Sequence, residues 1–204
     1  MYTVQSVLTH GSENEYTVVC NGDCFLITRY DYEQLQVNEG DLIDDDAFEA
    51  LCYASKRLTC IKKAFEYLSY GDLSQKQLYD KLIKKFPKEL SQGVAELMTE
   101  RGYVDDSRLA KRYAETFYEF KLMGLNRIRS ELFRRGISKE NIDLALETYE
   151  CEDQVPRVLE YLHKKYDVSK LNDYVYRRKV YGGLVRAGFG SEDISDALNS
   201  AESE

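Results

Sequence analysis

The segment from Arg127 to Leu146 returns in outline 52 positions later in the chain. Ile128 and Leu132 recur as Val180 and Leu184, and Arg134, Gly136 and Ile137 as Arg186, Gly188 and Phe189. Glu140, Asn141, Ile142, Ala145 and Leu146 recur as Glu192, Asp193, Ile194, Ala197 and Leu198. A weaker copy lies upstream, with Leu78, Leu82 and Lys84 in the places of Ile128, Leu132 and Arg134. A repeat of this length is one supersecondary unit that buries its apolar face against its neighbours. The chain is therefore an array, and its function belongs to the surface the unit presents repeatedly, not to a single pocket.

Each unit reads as helices with strong punctuation. Ser74 and Gln77 form a capping box, and Leu73 and Leu78 a hydrophobic staple. Phe86 and Pro87 end that helix, because the residue before proline avoids the helical region. The next helix buries Val94, Leu97 and Met98 and stops at Gly102, a left-handed cap. Asp105, Asp106 and Ser107 start another helix, whose buried stripe is Leu109, Tyr113, Phe117 and Phe120. Gly124 breaks it. Helix resumes over 125–135 with Leu125, Ile128 and Leu132 inward, and Gly136 ends it. Ser138 caps the next helix, with Ile137 and Ile142 as staple. The last unit starts near Pro156, which suits a first turn. Its middle helix, about 172–187, contains Gly182 and Gly183, which either permit close packing or mark a loose spot.

The head of the chain has a different period. Tyr2–Leu8, Tyr16–Cys20 and Cys24–Thr28 are short β-branched runs, and Asn21-Gly22 between the last two favours a tight type I′ hairpin. A short helix over Asp31–Gln36 and a turn at Asn38–Gly40 follow. A head this small needs a neighbour to pack on. A helix from about 46 to 70, with a break near Thr59, starts beside Asp44, Asp45 and Asp46, where acids favour the positive end of the helix dipole. The predicted fold class is mainly α: a β-hairpin-containing module at 1–46, then three helical repeats at 47–105, 106–150 and 151–204. At least nine helices are expected after residue 46, and no β-sheet beyond residue 60.

Several function classes fall away. No apolar run approaches the length of a membrane span and the N-terminus lacks a basic-then-apolar signal, so no membrane association and a cytoplasmic location are expected. The five cysteines, Cys20, Cys24, Cys52, Cys60 and Cys151, are odd in number and scattered, which suits a reducing compartment. Cys20 and Cys24 straddle the hairpin turn with no second pair at metal spacing, and His10 and His163 are far apart in sequence, so no metal is expected. Phosphate-cradling loops, a nucleophile elbow and an isolated carboxylate pair are all missing. Neither a cofactor nor catalysis is expected.

The charge is uneven. Residues 1–60 hold 11 acids and 3 bases, whereas 107–136 hold 8 bases and 3 acids. On a helix with Ile128 at 0°, Arg127 falls near -100° and Arg134 near -120° at about 100° per residue. Lys179 and Arg186 take the same two phases one repeat later; Gln77 and Lys84 take them one repeat earlier. Lys111 and Arg112 on the preceding helix extend the stripe. Local pairing of Arg127 with Glu131 and of Glu131 with Arg135 would make part of it ordinary solvated surface. As a recurrent row it fits a filament with regularly spaced phosphates or acidic groups better than a compact ligand.

Gly102, Tyr103, Val104, Asp105 and Asp106, then Arg108, Leu109, Ala110 and Tyr113, then Arg127, Ile128, Arg129, Glu131, Leu132, Arg135, Gly136 and Ile137 form a combined motif. By this motif the chain resembles the RecX family of bacterial regulatory proteins over roughly residues 60–200, most strongly at 97–146. The head resembles the N-terminal extension of some members. The resemblance implies three tandem three-helix repeats forming a curved body. It also implies a non-enzymatic modulator that binds along the groove of the RecA filament on single-stranded DNA and restrains its recombination and ATPase activities, so regulating DNA repair. The residues alone do not separate inhibition from enhancement, and a monomer is expected. Two features depart from the pattern. The first repeat has Phe86 and Pro87 where the others have a glycine, and the acidic head disfavours binding to naked DNA.

Two other readings fit the residues. One is a helical-repeat adaptor for another protein, with the 17 tyrosines as interface anchors. The other is a plain DNA-binding module, which the acidic head argues against.

Overall fold

The computed structural model describes residues 1–9 and 14–202, so His10 lies outside it. The described residues form two compact units, one of Met1–Gly71 with Leu78–Tyr103, the other of Asp72–Gln77 with Val104 onward.

In the first unit, β1 (Tyr2–Thr9), β2 (Glu15–Cys20), β3 (Asp23–Thr28) and β4 (Leu42–Ile43) make an antiparallel sheet of order β3-β2-β1-β4. Alternation along the strands puts Val4, Val18, Cys20 and Ile27 on one buried face. The β2–β3 turn is the two-residue hairpin expected, with Asn21 at φ 50 and Gly22 at φ 87. Side chains of β1 and the turn fix it further: the Thr3 N–H donates to Asn21 Oδ1 at 3.0 Å, and the Gly22 N–H to Gln5 Oε1 at 2.8 Å. The helix α1 (Arg29–Leu35) follows, capped by Thr28. α2 (Asp45–Ser69) is capped by Asp44, whose carboxylate accepts from Ala47 N–H at 2.9 Å. It runs unbroken through Thr59, whose hydroxyl donates back to the Ser55 carbonyl at 3.0 Å. Leu51 and Ala54 of α2 complete the core of the sheet, so the small head packs on the helix that follows it.

α3 (Gln75–Leu82) spans the division between the units. Its capping box is complete: Ser74 N–H donates to Gln77 Oε1 and Gln77 N–H to Ser74 Oγ, both at 3.1 Å. It ends at Leu82, before Phe86, and the chain turns to Pro87, which precedes α4 (Lys88–Glu100). α4 buries Leu90, Val94, Ala95 and Met98; Leu97 is only half-buried.

The second unit continues with α5 (Asp106–Glu115), capped by Asp105, then α6 (Leu125–Arg134), α7 (Lys139–Glu150), α8 (Val155–Lys165), α9 (Tyr174–Ala187) and α10 (Ser191–Glu202). The nine helices from α2 to α10 meet the expectation, and no strand occurs beyond residue 60 among the described residues. The repeated apolar positions are core positions in both copies. Ile128, Leu132, Ile142 and Leu146 are buried, as are Val180, Leu184, Ile194 and Leu198.

The expected buried stripe of α5 is also corrected. Phe120 is 80% exposed, and Tyr118 is buried in its stead. α5 runs into a π-helical turn at Thr116–Phe120, whose extra residue per turn holds Phe117 and Tyr118 inward and carries Phe120 outward. Tyr118 is fixed there by Glu152 at 2.8 Å, by the Arg157 guanidinium 3.4 Å above its ring, and by Arg157 donating to its carbonyl.

Candidate functional site

The middle helices of the repeats meet end to end through a joint that occurs twice in the second unit. α6 and α9 both end in the same motif. Gly136 (φ 80) donates its N–H to the Phe133 carbonyl, and Ile137 to Leu132; Gly188 (φ 96) donates to Val185, and Phe189 to Leu184. These are Schellman ends, which require a left-handed residue and leave further carbonyls facing outward. At the end of α9 those carbonyls find the start of α6: Gly124 N–H donates to Ala187 O at 2.9 Å and Asn126 N–H to Gly188 O at 3.1 Å. At the end of α6 the Arg135 carbonyl finds the start of α3, accepting from Ser74 Oγ at 2.5 Å. Each joint sets the negative end of one helix dipole on the positive end of the next.

The joints also decide what surrounds the glycines. A Cβ on Gly188 would overlap the Cβ and backbone N of Arg127; a Cβ on Gly136 would overlap the Lys76 side chain. Lys76 therefore holds at one joint the place Arg127 holds at the other. Sequence alignment had put the neutral Gln77 in that place, but Gln77 is a capping residue. The same packing corrects the reading of Gly124. Its φ is -70, an ordinary value, and the left-handed residue that turns the chain is Leu122, at φ 49. Gly124 is a glycine because a Cβ there would meet the backbone of Gly188 and Phe189.

The six basic residues singled out by the sequence are all exposed. Arg127 stands at one joint, packed against Gly188, which lies two residues beyond Arg186. Arg134 ends α6 at the other joint, beside the turn that packs on Lys76. The joints thus bring the start of one basic pair to the end of the next. Within each pair, seven residues of helix span about 10 Å. Lys111, Arg127, Lys179 and Arg186 have no carboxylate partner among the described residues. Arg112 pairs with Asp72, and Arg134 with Glu131 at 2.5 Å. The expected pairing of Glu131 with Arg127 and Arg135 is not found. Arg135 lies over the Tyr113 ring instead, 4.3 Å from its centroid, where cation–π attraction replaces an ion pair.

Other bases are tied into the scaffold. Arg129 bridges Asp143 and Glu150, joining α6 to α7, and Arg177 reaches Glu202 and Asn199, joining α9 to α10. Phe133, 71% exposed, was not singled out by the sequence; it lines a cleft of about 380 Å³ with Arg129, Ser130, Lys139 and Ile142. Its outward phase on α6 was the available signal. The five cysteines are free thiols, and burial pushes the Cys60 thiol up to about 11. No group of His, Cys, Asp and Glu suited to a metal occurs among the described residues, nor any helix long and apolar enough to cross a membrane.

Fold and joints define a tandem three-helix repeat protein with a small antiparallel sheet at its N-terminus. Residues 105–146 match the family model described as RecX, second three-helix domain, and residues 152–198 match RecX, third three-helix domain. The chain is 30% identical over 196 residues to Regulatory protein RecX of Caldanaerobacter subterraneus subsp. tengcongensis, covering 92% of this chain and 89% of the relative. It is 31% identical over 143 residues to Regulatory protein RecX of Chlorobium phaeobacteroides, covering 68% and 93%. The fold is also that of a crystal structure of regulatory protein RecX, with a TM-score of 0.79 at 20% identity over 98% of this chain and all of that one. RecX from Lactobacillus salivarius gives a TM-score of 0.64 at 21% identity, covering 74% and 99%. The chain belongs to the RecX family of regulatory proteins.

Proposed function

We propose that this chain is a non-enzymatic cytoplasmic regulator that binds the RecA filament on single-stranded DNA and inhibits its ATPase and recombination activities. The binding face is the basic row of α6 and α9, Arg127, Arg134, Lys179 and Arg186, with Lys111 and Arg112 beside it on α5. The repeats at 106–150 and 151–204 carry this row, and the chain acts as a monomer. One observation carries the reading: the helix joints bring basic residues together end to end, and four of the six named bases have no carboxylate partner among the described residues. A row of cations with spare charge suits a polyanion of regular spacing, where each phosphate neutralised releases counterions. The acidic head disfavours naked DNA and favours a target that offers protein and DNA together.

The test is RecA ATP hydrolysis on single-stranded DNA, with and without the protein. A dose-dependent fall in the steady rate is expected. An unchanged rate at a severalfold excess over RecA would reject the reading and leave the adaptor for another protein as its successor.

A further inference from the structure

The first unit carries a groove that the basic row does not use. It is about 1230 Å³, larger than the roughly 300–1,000 Å³ of small-molecule sites, and open enough for a length of polypeptide. Its floor is aromatic. Tyr2 stacks on Phe48 with centroids 3.9 Å apart and planes 6° apart, and Phe25 holds Phe48 edge-on at 5.6 Å. Leu35 and the exposed face of Tyr53 add apolar surface. Asp31, Asp45, Asp46, Glu49 and Glu89 line it, against the single base Lys56.

Most of those carboxylates have no cationic partner among the described residues. Asp31 is matched by Arg57 at 2.9 Å, but Asp45, Asp46, Glu49 and Glu89 make no ion pair among the described residues. The cap of α2 is already made by Asp44. Helix-dipole stabilisation accounts for Asp45 and Asp46 near the start of α2 and for Glu89 in the first turn of α4; Glu49, one turn on in α2, falls outside that range. The Asp45 carboxylate beside Tyr2 raises the Tyr2 pKa above its ordinary value.

We propose that this groove docks a cationic, apolar-bearing segment of a partner protein, its Lys or Arg side chains on the carboxylate rim and over the Tyr2 and Phe48 rings, its aliphatic side chains on the floor. Carboxylates exclude a nucleic acid from the same place, because phosphate would meet like charge. Aromatic faces beneath carboxylates favour a cation twice, through charge and through the ring quadrupole. The surface is separate from the row on α6 and α9, so the proposal stands whether or not that row binds a filament.

The experiment uses the full-length chain and a fluorescein-labelled amphipathic peptide of 18 Lys and Leu residues, read by fluorescence anisotropy. Ala50→Trp blocks the groove without altering charge; Glu49→Lys reverses charge within it; Glu39→Lys reverses an exposed charge outside it. The proposal expects both groove variants to weaken binding about tenfold or more, with Glu39→Lys within about twofold of the parent. Circular dichroism and thermal unfolding verify that each variant folds, and either groove variant alone suffices. Equal loss in all three variants would reduce the binding to general charge attraction and overturn the proposal. Groove-dependent self-association in sedimentation, without peptide, would overturn it in favour of a second copy of this chain as occupant.

Discussion

The two helix joints repeat one design with different materials. Where α9 meets α6, backbone meets backbone: Ala187 and Gly188 carbonyls accept from Gly124 and Asn126, and the two glycines touch. Where α6 meets α3, a side chain does the work, with Ser74 Oγ on the Arg135 carbonyl and the Lys76 methylenes against Gly136. A backbone joint has little slack, since no side-chain rotamer can relieve it. A joint made by serine and lysine side chains has rotamers in reserve. The sites should therefore differ in tolerance although their sequences match.

Ala at position 188 gives the largest expected effect. Gly188→Ala combines a left-handed backbone with an overlap against the Arg127 backbone, for a loss of about 3 kcal/mol. Gly136→Ala meets the same backbone demand, but the Lys76 side chain moves aside, and a loss of about 1–2 kcal/mol is expected. Urea unfolding of both variants measures the gap; equal losses would show that the joints do not differ in slack. Ser74→Ala comes next. It removes the α3 cap and leaves the Arg135 carbonyl short of a donor, for about 1–2 kcal/mol by the same measurement.

The smallest effects separate Gly182 from Gly183. A Cβ on Gly183 would overlap the Tyr166 hydroxyl, whereas Gly182 has only the end of the Arg186 side chain near it, at 3.5 Å. Gly182→Ala should stabilise α9 by up to about 1 kcal/mol, and Gly183→Ala should gain nothing or lose a similar amount as Tyr166 is displaced. Thermal unfolding of the pair reads the sign. The two glycines thus have different meanings, close packing at 183 and free helix surface at 182.

The repeat was legible because its core is. Leu132 and Leu184, Ile142 and Ile194, and the two Schellman glycines are dictated by burial and by φ, and both leave a signature in one sequence. What depends on distant residues left none. The π turn at Thr116–Phe120 follows from Tyr118 reaching Glu152 and Arg157, more than thirty residues ahead, and a straight helical wheel puts Phe120 inside. Gly124 read as a helix breaker because its true constraint, the backbone of Gly188, lies in the next repeat. The acidic run at Asp44–Asp46 read as a cap, which Asp44 is; the groove appears only when Tyr2, Phe48 and Glu89 come together.

The surface follows a different rule from the core, and that bears on the basic row. The scaffold ion pairs are not repeated: Arg129 has Tyr181 in its place one repeat later, and Arg177 has Leu125 one repeat earlier. Arg127 and Arg134 do recur, as Lys179 and Arg186, although folding asks for no base at those exposed positions. The proposed binding of a partner with a repeat of its own rests on this recurrence.

The direct test is the affinity of the RecA filament on single-stranded DNA for the Arg127→Glu, Arg134→Glu double variant, measured across several salt concentrations beside the parent. The account predicts weaker binding and a flatter salt dependence, because fewer counterions are released, with the circular dichroism spectrum unchanged. A well-folded variant with the parent's affinity and the parent's salt slope would contradict it.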